Sequence, residues 1–242
     1  MTRLKLDSVN MRFGPLHVTR DVSFSLEAGE RVALIGPNGA GKTTLVNIIA
    51  GSLRHSSGTV RFEGEDMAAL TTSERARKGL VRTFQISRLF LGMTVEENVR
   101  VAALHRHQGR KVSRDTIDAE VGAGLAKLQV GHLAHKMVDS LALGERRLVE
   151  LSLALTMEPR LLLLDEPAAG IPHGESRMVL KAVNELPSDL TVMLIEHDMD
   201  LVFSWARRII VLSGGAVVMD GQPEAIARDE HVQRIYFGRG DA

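Results

Sequence analysis

The sequence predicts an α/β fold with a mainly parallel sheet, an N-terminal antiparallel β portion and an inserted helical lobe. Three observations lead there. The short apolar run Arg31-Val32-Ala33-Leu34-Ile35 passes directly into Gly36-Pro37-Asn38-Gly39-Ala40-Gly41-Lys42-Thr43-Thr44 and then into a helical stretch. Apolar strands recur at Leu161–Leu164, Val192–Ile195 and Ile209–Leu212, the first two separated by a helical pattern. From about Gln85 to Met157 the periodicity is helical throughout.

Taken in order, Leu4 to Asn10 alternates as a strand does, Val22 to Leu26 reads as a second, and Ala28-Gly29-Glu30 turns the chain. Thr44 to Ala50 reads as a helix closed by Gly51. Thr59–Phe62 is a short strand bracketed by Ser56-Ser57-Gly58 and Glu63-Gly64-Glu65. In the helical middle, Ile117, Val121, Leu125 and Leu128 keep helical spacing, as do Leu148, Leu151 and Leu155. Strand character returns after Pro159, and Glu175 to Leu186 forms a further helix. The expected organisation is a single domain over residues 1–242, with its sheet core near 1–84 and 158–242 and the helical lobe near 85–157.

Composition narrows the function. Thirty basic residues balance 30 acidic ones without any block of one sign, so nothing suggests a grip on nucleic acid or anionic lipid. The absence of cysteine excludes disulfides and thiolate metal sites and fits a reducing compartment. The apolar runs are strand-length, far short of the roughly 20 residues that span a bilayer. The first residues alternate polar and apolar, so no signal peptide is expected. Any role at a membrane is expected to come through a partner.

The segment Gly36–Thr44 fits G-x-x-x-x-G-K-[ST] between a strand and a helix. Its glycines let backbone N–H groups turn inward around phosphate oxygens, and the helix start adds about half a positive charge. In this pattern Lys42 reaches the β- and γ-phosphates and the Thr43 hydroxyl holds Mg²⁺. Downstream, an all-leucine strand ends in two carboxylates. Asp165 suits the metal, and Glu166 suits polarising a water for in-line attack.

With these pieces, the chain resembles the ATP-binding subunit of ABC transporters over nearly its whole length. Thr83-Phe84-Gln85 stands where that family has its glutamine loop. Leu194-Ile195-Glu196-His197-Asp198 stands where the switch histidine follows a strand. Leu141-Ala142-Leu143-Gly144-Glu145 takes the place of the L-S-G-G-Q signature, and Phe13, with Val18 beside it, that of the aromatic stacked on adenine. The resemblance implies a P-loop NTPase fold with a RecA-like sheet, ATP and Mg²⁺ as ligands, and ATPase activity. It implies that Gln85 binds Mg²⁺ or the attacking water and that His197 orients the γ-phosphate and Glu166. It also implies a head-to-tail dimer in which each signature faces the other subunit's phosphate loop. Two departures stand out: Ala142 replaces the signature serine, and Pro172 stands where an Asp usually ends the loop after the carboxylates.

Finer resemblance is to the ATPases of branched-chain amino-acid importers. It rests on Arg82-Thr83-Phe84-Gln85, Arg88-Leu89-Phe90, Met93-Thr94-Val95, Asp165 through Gly170, Ile195 through Met199 and Tyr236-Phe237-Gly238. It implies homo- or heterodimerisation with a second ATPase, integral membrane permease subunits, indirectly a periplasmic solute-binding protein, and a peripheral place on the cytoplasmic face of the inner membrane. Ile86–Val95 would form part of the groove for a short permease helix. Alternatives are a lipopolysaccharide-export or non-transport ABC ATPase, or a catalytically weak regulatory subunit. A GTP switch is disfavoured because no N-K-x-D motif occurs. The pairs His105/His107 and His132/His135 have metal-ligand spacing but no third ligand, and read as solvated surface.

Overall fold

A computed structural model describes residues 1–83 and 89–237. The described residues form two compact units, residues 1–75 with 188–237, and residues 76–83 with 89–187. The first unit opens with a hairpin of β1 (Thr2–Phe13) and β2 (Leu16–Glu27). Leu4 and Leu6 face inward by simple alternation. At Ser8 the backbone enters the left-handed region (φ 49°) and the register shifts, so that Val9 and Met11 take the buried side. A short buried strand, β3 (Arg31–Ile35), leads through a loop to α1 (Lys42–Ala50). Next come β4 (Ser57–Phe62), which pairs antiparallel with β1, and the two-residue β5 (Glu65–Asp66). The antiparallel sheet has the order β2-β1-β4-β5.

The short helix α2 (Thr72–Arg77) carries a residue that sequence reasoning missed. Arg75 is buried, and its guanidinium donates to the carbonyls of Ile48 (2.7 Å), Ile49 (2.7 Å), Met67 (2.6 Å) and Leu70 (3.1 Å). Two of these acceptors belong to the last turn of α1, where a cation also meets the negative end of the helix dipole. Burial pushes the guanidinium's pKa below its usual value, with Asp66 opposing the shift.

In the second unit, β6 (Leu80–Arg82) runs parallel to a strand that follows three helices. The first, α3 (Val95–Arg106), begins with a capping box. Thr94 Oγ1 accepts from the Glu97 N–H at 3.2 Å, and the Glu97 carboxylate accepts from the Thr94 N–H at 2.7 Å. That contact holds the exposed Glu97 carboxyl below its ordinary pKa. The buried Asn98 amide binds Phe90 N–H, Phe90 C=O and Thr94 C=O, which pins the approach to the helix. Ser113 caps α4 (Arg114–Lys127). The third helix, α5 (Leu143–Thr156), meets α4 where Ser152 Oγ donates to the Gly124 carbonyl at 2.9 Å. Strand β7 (Leu161–Asp165) is wholly buried and pairs with β6 in the register Leu80↔Leu161, Val81↔Leu162, Arg82↔Leu163. Helix α6 (His173–Asn184) then packs on α5.

The first unit closes with β8 (Thr191–Ile195), α7 (Met199–Trp205), β9 (Arg208–Ser213), β10 (Ala216–Gly221), α8 (Pro223–Arg228) and α9 (Glu230–Phe237). Strand β3 lies between β8 and β9, parallel to both, while β10 returns antiparallel to β9. Val32–Ile35, Val192–Leu194 and Ile209–Leu212 are fully buried, which explains their continuous apolar runs. Polar groups are therefore confined to the strand ends, where the functional loops begin.

Replacing Arg75 with Met keeps the apolar stem but removes four hydrogen bonds, and leaves the Ile48 and Met67 carbonyls with only the Gly51 and Leu70 N–H groups. Thermal or urea unfolding should show a loss of about 3 kcal/mol. A loss below ~1 kcal/mol would mean that the last turn of α1 is satisfied without Arg75.

Candidate nucleotide-binding site

Parallel strands β3 and β8 end at the same edge of their sheet, Leu34 beside Ile195, and loops leave both there. The β3 loop, Gly36 to Gly41, turns tightly, with the Ala40 N–H on the Pro37 carbonyl at 3.1 Å. Two glycines are required by crowding. A Cβ on Gly36 would stand 2.2 Å from the Leu212 carbonyl oxygen, and one on Gly41, at φ 97°, 2.9 Å from that of Val18. Gly39 is left-handed (φ 79°) but faces open space, beside the exposed Asn38.

Helix α1 starts from Gly41 with no side-chain cap and no acidic residue in its first turn. Its first N–H groups have no carbonyl partner within the helix, so the end is prepared for an anion. Lys42 curls back over the loop, its Nζ donating to the carbonyls of Gly36 and of Pro37, the latter at 3.1 Å. Thr43 is exposed at the helix start and Thr44 half-buried.

The other predicted residues of this unit lie on strand ends and a hairpin tip. Val18 presses its carbonyl against both Gly41 and Gly215, which places it beside the phosphate loop. Phe13 pairs across the hairpin with Leu16, and both side chains are exposed. After β8, Glu196 is buried and accepts from the His197 N–H at 3.1 Å, while the His197 ring is exposed. Asp198 then caps α7 through the Leu201 N–H.

In the second unit, β7 delivers Asp165 and Glu166. Asp165 is buried, and its Oδ2 accepts from Arg82 Nη2 at 2.6 Å. Glu166 is half-buried and left-handed (φ 45°), and its carbonyl accepts from the Ala169 N–H at 3.1 Å. A non-glycine residue in that conformation costs about 1–3 kcal/mol, and such strain collects where a side chain is needed. Gln85 lies outside the described residues, as do Phe84 and Ile86.

The signature segment forms the start of α5. Leu141 is buried, Ala142 occupies the cap position, and Leu143 is exposed. Glu145 reaches back to the Ala142 N–H at 3.0 Å, which is half a capping box, since alanine has no oxygen to return the bond. The Gly144 N–H donates to Glu175 Oε2 at 2.8 Å, and a Cβ on Gly144 would lie 2.9 Å from that of Glu175. Arg146 fixes the preceding turn through the carbonyls of Leu141 and Asp139. Arg75, Arg82, Arg146 and Glu175 were not singled out as site residues, because nothing in their local sequence announces which carbonyl or carboxylate they meet.

Among the described residues, no group of three or more His, Cys, Asp or Glu is placed to hold a metal ion. His107 binds Glu120, His132 caps the Gln129 carbonyl and His135 lies 3.5 Å from Glu96, so the two histidine pairs have separate partners. The hydroxyl of Thr43 and the carboxylate of Asp165 are hard oxygen donors of the kind Mg²⁺ takes along with phosphate oxygens. Within the second unit a groove of about 260 Å³ is lined by Val81, Leu89, Val101, Leu153 and Met157, among others. Leu89 is buried while Phe90 is 53% exposed, so only the first fills the core.

Residues 19–169 match the family described as ABC transporter. The chain belongs to that family. This ABC ATPase is 37% identical to the high-affinity branched-chain amino acid transport ATP-binding protein BraF of Pseudomonas aeruginosa, covering 97% of both chains. It is 35% identical to the corresponding LivG protein of Escherichia coli K12, again over 97% of each. Among solved structures it resembles a nucleotide-free ATP-binding cassette from an ABC transporter (TM-score 0.85, 28% identity, 100% of both chains). It also resembles a cassette in its ADP conformation (TM-score 0.86, 29% identity, 99% of this chain and 100% of the other). Among the described residues no helix is long and apolar enough to cross a membrane.

Gly36→Ala should abolish binding of a fluorescent ATP analogue and lower the melting temperature, because the clash is with backbone. Gly39→Ala should cost only about 1–2 kcal/mol, the price of a left-handed alanine, and retain binding. Equal effects of the two would show that crowding does not shape the loop. Ala142→Ser completes the capping box and should add about 1 kcal/mol of stability in a melt.

Proposed function

We propose that this ABC ATPase powers an importer of branched-chain amino acids or a related polar solute. The observation that carries the ATP reading is the uncapped start of α1 behind a loop on which Lys42 is already folded. The importer reading draws on the similarity to BraF and LivG over nearly the whole chain.

In this reading the N–H groups of Gly39 to Thr44 and the Lys42 ammonium neutralise the β- and γ-phosphates. Phe13 stacks on adenine, with Val18 alongside. Thr43, Asp165 and Gln85 are the residues for Mg²⁺, which when bound neutralises charge on the phosphate oxygens. The Glu166 carboxylate takes a proton from the attacking water as its oxygen bonds to the γ-phosphorus. The bond to the β–γ bridging oxygen breaks, and ADP and phosphate leave. His197 orients the γ-phosphate and Glu166. The signature Leu141–Glu145 belongs to the site of a second ATPase, a copy of this chain or a related subunit, so ATP joins two subunits and hydrolysis separates them. Ala142 lacks the hydroxyl that would bond the γ-phosphate, a contact worth roughly 1.5–3 kcal/mol, and leaves backbone N–H groups and the helix dipole to serve there.

The membrane permease subunits are the further partners, with a periplasmic solute-binding protein acting through them. The apolar groove that includes Leu89 receives a permease helix, which holds the ATPase on the cytoplasmic face of the membrane. Glu166→Gln should retain ATP binding while turnover falls about 10²–10⁴-fold, and ATP should hold the variant as a dimer on size exclusion. Turnover near wild type would remove Glu166 from the role of base. Co-purification of the complex with permease subunits and ATP-dependent solute uptake in proteoliposomes tests the importer reading. A complex that stimulates no uptake of branched-chain amino acids would overturn that substrate class.

A further inference from the structure

We propose that Arg82 is a resident counter-ion for Asp165, holding the carboxylate in the metal-free enzyme and competing with magnesium for it. The inference rests on the reading of Asp165 as a residue of the nucleotide's metal. Its own content is the role of Arg82, to which that reading gives none.

The geometry follows from the strand register. Arg82 is the Cα partner of Leu163, and Asp165 lies two residues further along β7, hence on the same face as Leu163. A long side chain leaving Arg82 on that face reaches the end of the neighbouring strand. It does so, with Nη2 2.6 Å from Asp165 Oδ2, a charge-assisted bond at the short end of the range. The two side chains are only 8% and 9% exposed. A carboxylate so placed must be met by a cation, because water is not there to solvate it.

The pair thus answers a problem created by the proposed activity. Asp165 must be ionised and aimed when Mg²⁺ arrives with the nucleotide, yet between turnovers no metal offsets its charge. A guanidinium on the adjacent strand supplies that charge from within the chain. The same contact sets a threshold for metal. A divalent ion at this carboxylate faces a monocation already bonded to it, so metal gains less than it would from an unengaged carboxylate. Metal affinity is thereby lowered, and the ion is retained only while phosphate oxygens contribute as well. Thr83 is tied to the Leu163 carbonyl at 3.0 Å, which keeps the Arg82 backbone in register while its side chain yields.

The test uses the full chain with saturating ADP and Mn²⁺ as the probe, the free ion being followed by electron paramagnetic resonance. Arg82→Gln should bind Mn²⁺ about tenfold more tightly than wild type, the effect of roughly one pKa unit's worth of electrostatics. Arg82→Lys keeps a cation but loses the fixed fork, and should fall between them. In thermal melts without metal, Arg82→Gln should be less stable than wild type, and Mn²⁺ with ADP should recover more of its melting temperature than it adds to wild type. A purely structural Arg82 would give equal losses with and without metal. If Arg82→Gln does not fold, Arg82→Lys decides by the same Mn²⁺ titration. Unchanged or weaker Mn²⁺ binding in the folded variants overturns the proposal. Asp165→Asn separates the two readings. Weaker Mn²⁺ binding there, with unchanged binding in the Arg82 variants, sinks only the counter-ion role. Unchanged binding in Asp165→Asn sinks the metal assignment and the counter-ion role together.

Discussion

The first unit is organised around a helix whose two ends are treated in opposite ways. At its N-terminus α1 has no capping side chain and no acidic residue, so its N–H groups and the positive end of its dipole stay available to an anion. At its C-terminus the Arg75 guanidinium takes the carbonyls of Ile48 and Ile49. Leaving one end unsatisfied weakens an isolated helix of nine residues, which is short for independent stability. The compensation comes from the buried Leu45, Val46, Ile48 and Ile49 and from the satisfied far end. The anion site is thus maintained by bonds made at the other end of the helix.

Charge placed for a ligand must also be met while the ligand is away. The same solution recurs at three places, each within one unit. Lys42 donates to the carbonyls of its own loop, Asp165 accepts from Arg82, and the Gly144 N–H at the start of the signature helix donates to Glu175. Each partner is built from the chain itself and offers the polarity that the proposed ligand would bring. These contacts keep the site folded and aimed, and they subtract from the affinity that ligand binding gains.

Much of the fold was legible because its strands are buried on both faces and read as unbroken apolar runs. Leu161–Leu164, Val192–Ile195 and Ile209–Leu212 all lie within observed strands. The N-terminal strand was legible as Leu4–Asn10 but runs from Thr2 to Phe13, since the bulge at Ser8 breaks the alternation that marks its extent. Strand β6 escaped notice because three residues carry no period, and β10 because its residues are half-buried or exposed. Within the site, the phosphate loop stood out because close backbone approach demands glycine at fixed spacing. Arg82, Glu175 and Arg75 did not, because the partners of each include residues 26 or more positions away in sequence.

The sequence alone therefore determined the class of chemistry. A loop of the form Gly36–Thr44 between strand and helix, followed by paired carboxylates on a later strand, follows from local backbone sterics and strand periodicity, which neighbouring residues encode. Only the tertiary structure decided which charges meet. Counter-ions such as Arg82 for Asp165 and caps such as Arg75 for α1 arise from strand register and helix packing, and those bring together residues with no spacing rule between them.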